Sequence, residues 1–157
     1  MTCIHEAAHA VISFILFAES VTYVSVIPDP SKDEAGRTNI IECEYLPEHS
    51  LRAGFAGMHA QSLWTDAPRN AGCSDDFTKI QIILDRLSPY MDQPARVKLR
   101  ARVREESLAM VIANEVAIRR VAEYLLEHGE IGQIDDYGKS AKEVLARLID
   151  ERRLSIP

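Results

Sequence analysis

The chain is expected to be mainly α with a minor β part, on three observations. Apolar residues recur at helical spacing over most of its 157 residues. Two short stretches rich in β-branched residues lie close together after the first helical run. Proline, glycine and Ser-Asp pairs divide the remainder into separate helices. Together these predict an α+β fold: one helical domain over 1–157 with a small β-hairpin after its first helix.

The elements follow in order. Thr2 to about Phe17 predicts a helix, with Thr2 as its cap and a strongly apolar run from Ala10 to Ala18. Ser20 to Ile27 (Val21, Thr22, Tyr23, Val24, Val26) predicts a strand that Pro28-Asp29-Pro30 ends. After a polar loop, Arg37 to Tyr45 predicts a second strand, antiparallel to the first. Pro47 opens a helix to Trp64 with Leu51, Phe55, Met58 and Leu63 as inward positions. A further helix runs from Ser74, its expected N-cap, to Leu87, with Ile80, Ile83 and Leu84 inward. From Pro94 to His128 the pattern predicts one long helix, with Leu99, Val103, Leu108, Val111, Ile112, Val116, Val121, Leu125 and Leu126 at helical spacing and Gly129 as its stop. Tyr137 to Asp150 closes the chain as a last helix.

Composition excludes several classes. Aromatic residues are 6% and the net charge is -6, so neither base stacking nor binding to phosphate backbones is expected, and nucleic acid is not a partner. The longest apolar run is too short to span a bilayer and lacks the flanks of a signal peptide. Cys3, Cys43 and Cys73 are odd in number and without C-x-x-C spacing, which fits a reducing, cytoplasmic setting.

The chemistry concentrates at His5-Glu6-Ala7-Ala8-His9, an H-E-x-x-H run inside the first helix. Residues i and i+4 of a helix share a face, so His5 and His9 can offer two imidazole nitrogens to one metal ion. Glu6 then stands close enough to act as general base on metal-activated water, as in zinc metallopeptidases. The apolar helix around the motif would bury these side chains, and buried His and Glu need partners. The motif begins at residue 5, with little chain ahead to cap its helix, so the sequence reads as a fragment or as one whose start is placed late.

A catalytic zinc takes three protein ligands and keeps one position open. Candidates for the third are Asp76, in the first turn of its helix, its neighbour Asp75, the carboxylates Glu105, Glu106 and Glu115, and the histidines His49 and His59. The bland alternatives are a helix-dipole carboxylate for Asp76, a satisfied core histidine for His59, helix-end residues for His49 and His128, a small buried thiol for Cys73 and a solvated face for Arg96 to Glu106.

Nearly the whole chain resembles the peptidase domain of the FtsH family of membrane-anchored, ATP-dependent zinc proteases. The residues that carry the likeness are His5-Glu6-Ala7-Ala8-His9-Ala10 (family H-E-A-G-H-A), Val21-Thr22-Tyr23-Val24-Ser25-Val26-Ile27-Pro28 (V-x-x-V-S-I-I-P), Ala56-Gly57-Met58-His59-Ala60-Gln61 (A-G-R-A-A-E), Gly72-Cys73-Ser74-Asp75-Asp76-Phe77 (G-A-S-N-D-L) and Val121-Ala122-Glu123-Tyr124-Leu125-Leu126-Glu127 near the tail. The resemblance implies a zincin-like helical peptidase domain in which Asp76 is the third zinc ligand. The chain departs from the family at Ala8, Gln61 and Asp75, and it carries no G-x-x-x-x-G-K-[ST] loop for ATP. It is therefore expected to be a metalloendopeptidase acting on polypeptide, served by a separate ATPase unfoldase or taking loose substrates, with a homo-oligomer among the expected states. The competing expectation is a catalytically silent, metal-binding regulatory module. Substrate is expected at an exposed sheet edge along Val24, Ser25 and Val26, the alternative being an ordinary structural strand.

Overall fold

Ten consecutive residues of the first helix, His5 to Phe14, are buried, and a helix enclosed on all sides has to lie in the middle of the molecule. In the computed structural model, which describes residues 2–31, 35–40, 47–66, 73–133 and 139–149, this helix (α1, Thr2–Leu16) packs mainly against α2 (Pro47–Trp64) and α5 (Glu115–His128). The other helices are α3 (Ser74–Arg86), α4 (Gln93–Ala113) and α6 (Lys139–Leu148). A three-stranded antiparallel sheet accompanies them, so the expected mainly α, α+β class holds.

The expected hairpin is present as β1 (Val21–Ser25) and β2 (Arg37–Ile40), paired Val24 to Thr38 and Ser25 to Arg37. The remainder of the expected second strand, 41–45, lies outside the described residues. An unanticipated third strand, β3 (Glu130–Ile131), pairs with the other side of β1, giving the order β2-β1-β3. Two residues are too few for any periodic signal. Gly129 delivers the chain to β3: at φ 82 it ends α5, and its carbonyl accepts from Val26 N at 2.9 Å.

Among the described residues, two hydrophobic clusters result. The larger joins α1, β1, α5 and α6 through Ile12, Val21, Val24, Ile118, Leu125 and Leu145. The second joins α2, α3 and α4 through Leu51, Phe55, Ile80, Leu84, Leu99 and Val103. Burying one Leu or Ile in either contributes about 1.5–3 kcal/mol.

Several expectations need correction. The long helix from Pro94 is two helices, because at Asn114 the side-chain amide donates to Met110 O at 2.8 Å and the backbone leaves helical geometry. Leu63, Ile112, Val116 and Leu126 are exposed, since each lies one position off the face its helix buries. Ser74 and Thr2 are the first residues of their helices, not caps; Cys73 precedes α3 without a side-chain cap bond, and the first-turn carboxylates Asp75 and Asp76 favour the free amides instead. Among the described residues, no helix is long and apolar enough to cross a membrane.

Candidate metal centre

His5 and His9 lie one turn apart on α1, and both rings point at α2, where small residues let the helices approach closely. Gly57 faces both rings. A Cβ added there would overlap His9 Nε2 and stand 2.7 Å from His5 Nε2, so the wall of the site opposite the two nitrogens is bare backbone.

Each ring is anchored through its Nδ1. His9 Nδ1 donates to the Ala53 carbonyl at 2.7 Å, and His5 Nδ1 lies 3.1 Å from Gln61 Oε1, both partners on α2. A carbonyl can only accept, so His9 Nδ1 carries a proton and the neutral ring presents a lone pair at Nε2. The same tautomer follows for His5 with the Gln61 oxygen facing it. Anchoring of this kind orients imidazoles that bind metals.

The two Nε2 atoms converge at 3.1 Å, and Asp76, brought up by the first turn of α3, meets them both. Its Oδ2 is 2.9 Å from His5 Nε2 and its Oδ1 is 3.3 Å from His9 Nε2. All three residues are buried. Asp76 Oδ2 is a buried oxygen without a well-formed hydrogen bond. Three lone-pair donors thus face one point, and only a positive charge makes that favourable.

In the metal-free protein a proton can supply that charge. Burial disfavours the His9 imidazolium, but the Asp76 carboxylate, with Glu6 and the Ala53 carbonyl, outweighs it and raises His9 to about 9. Burial likewise works against ionised Asp76, yet His9 and His5 hold it well below the usual carboxylate range. A divalent cation would satisfy all three donors at once, and His5, His9 and Asp76 form a group that could hold one. Cys73, before α3, is buried, and burial together with the Asp76 charge pushes its thiol up to about 11, which suits an inert core residue.

Glu6 is buried at 7% exposure, and its Oε2 accepts from Thr38 Oγ1 of β2 at 2.7 Å. The other candidate ligands lie elsewhere. Asp75 and Glu105 are exposed. Glu106 pairs with Arg52 and Arg102, and Glu115 with Arg119. His59 Nε2 is bonded to Arg104 O at 3.1 Å, and His49 lies in the first turn of α2.

The expected substrate edge along Val24, Ser25 and Val26 is corrected. β1 is the central strand: Val24 and Ser25 pair with β2 on one side and β3 on the other, and Val26 N is bonded to Gly129 O, so no edge is left for a peptide.

Sequence reasoning missed Thr38, Ala53 and the packing role of Gly57, because each acts across the fold. Gln61 stands out in the sequence only as a departure from the FtsH-family pattern, and nothing local points to its contact with His5.

The fold and site define a mainly helical protein with a buried two-histidine, one-aspartate group able to hold a metal ion. No protein-family model and no curated protein matches the sequence.

Proposed function

We propose that this chain is a zinc-dependent endopeptidase, similar to the peptidase domains of the FtsH family. The observation that supports it most is the convergence of His5 Nε2, His9 Nε2 and an Asp76 carboxylate oxygen, with Glu6 buried one residue from the first ligand. Two histidines and a carboxylate are a catalytic zinc donor set, whereas structural zinc sites use four ligands rich in Cys. When bound, the ion would acidify a water and polarise the scissile carbonyl.

The chain's own residues supply the rest. His5, His9 and Asp76 would hold the ion, and Ala53 and Gln61 fix the two rings with Nε2 turned toward that point. Glu6 takes the proton from the attacking water and returns it to the leaving amine. Among the described residues no strand pairs with the outer side of β2, and Thr38 ties that strand to Glu6. An extended peptide added along β2 would run past the general base.

Metal analysis with casein hydrolysis, for the wild type and Glu6→Gln, tests this. The expected result is about one zinc per chain in both, with kcat in the variant reduced about 10²–10⁴-fold. Zinc-loaded wild type that hydrolyses nothing, or a chain that takes up no zinc, refutes the proposal.

A further inference from the structure

We infer that Thr38 is a positioning residue: its hydroxyl holds the Glu6 carboxylate in the orientation used for proton abstraction, an inference that rests on the peptidase reading above. The hydroxyl has one proton and two neighbouring acceptors, Glu6 Oε2 at 2.7 Å and Glu6 O at 3.3 Å. The shorter contact, to a charged oxygen, is the stronger one. It engages one carboxylate oxygen and leaves the other to receive a proton.

The backbone ahead of the Thr38 strand also lies close to the Glu6 stem. A Cβ added to Gly36, just before β2, would lie 3.2 Å from Glu6 Cγ and 3.0 Å from Ser25 O, and would overlap the Thr2 methyl. Gly36 is required here for space, since its φ is not positive. Its missing side chain lets β2 press onto Glu6, while the pairing of Thr38 with Val24 sets the height of the hydroxyl. The strand thus holds the general base through one carboxylate oxygen, with no room between Gly36 and the Glu6 stem for a side chain.

Three forms of the zinc-loaded protein separate this from a merely structural contact: wild type, Thr38→Val, which keeps the shape and loses the hydroxyl, and Thr38→Ser, which restores it. With zinc content equal in all three, Thr38→Val should lower kcat about 10–100-fold with KM within about twofold, as expected for a misplaced catalytic group. Thr38→Ser should recover most of the loss. A Thr38→Val variant that turns over at the wild-type kcat overturns the inference.

Thermal melts of the metal-free protein give a readout independent of turnover. Thr38→Val should lower Tm on the order of 5 °C when Glu6 is present and by far less in a Glu6→Ala background. Equal losses in both backgrounds overturn the hold on Glu6. Zinc-loaded wild type without hydrolysis sinks the peptidase reading and with it proton abstraction, while coupled melts would still support Thr38 as the clamp on the carboxylate.

Discussion

Replacing Gly57 by alanine adds one methyl group at the place where the two imidazoles converge. The added carbon would overlap His9 Nε2 and lie 2.7 Å from His5 Nε2 and 2.8 Å from His5 Cδ2. Ordinary non-bonded contact needs about 3.5–4.0 Å, and zinc needs these nitrogens at about 2.0–2.1 Å. The methyl and the ion therefore compete for the same space in front of the two nitrogens. Overpacking by one methyl costs about 1–3 kcal/mol, which lowers zinc affinity about 5–150-fold if the strain falls on the bound form. In the metal-free protein part of the strain is offset, because alanine in a helix interior gains about 0.5–1 kcal/mol over glycine. Its Tm should stay within a few degrees, at about 2–4 °C per kcal/mol for a chain of this size. Gly54→Ala is the control on the same helix, since its Cβ meets Ile80 Cγ1 at 3.0 Å and not the histidines. Competition titration against a chromophoric chelator reads the affinity. Wild-type zinc affinity in Gly57→Ala would refute the placement of the ion between these rings.

Two further outcomes are expected. With His9 raised to about 9, the protonated His9–Asp76 pair contributes stability to the metal-free protein that is fully present below the unfolded histidine value of 6.5 and lost as pH rises through about 9. Zinc binding near pH 7.5 should therefore release about one proton, falling toward none above pH 9; calorimetry in buffers of different ionisation enthalpy reads this, and zero release at pH 7.5 contradicts the pairing. Peptides N-methylated on alternate residues beside the scissile bond should lose about 2–10-fold in kcat/KM per blocked bond if substrate adds to β2; unchanged turnover at every position rules that edge out.

The pair on α1 was legible because it is local: spacing of i and i+4 on one helix needs no tertiary knowledge. Asp76 was one of several open choices until the resemblance singled it out, since nothing local distinguishes a ligand from a carboxylate that favours a helix dipole. Thr38, 32 residues from Glu6, and Gln61, 56 from His5, were illegible for the same reason in stronger form. The break at Asn114 had a local signal in an Asn within a helical run, but the apolar spacing continues across it. The status of β1 as central strand depended on β3, a pairing over roughly a hundred residues that spacing along the chain does not encode.

The three residues that could hold an ion belong to different cores. His5 and His9 ride on α1 in the larger cluster, whereas Asp76 sits on α3, which rests mainly on α2 in the smaller one. An ion bound there would be a removable crosslink between two packing units, closing a loop from residue 9 to residue 76. Chelation should then act on the mobility of α3 first, so its amide hydrogens would exchange at a rate set by free metal concentration while those of α1, walled in on every side, keep their protection.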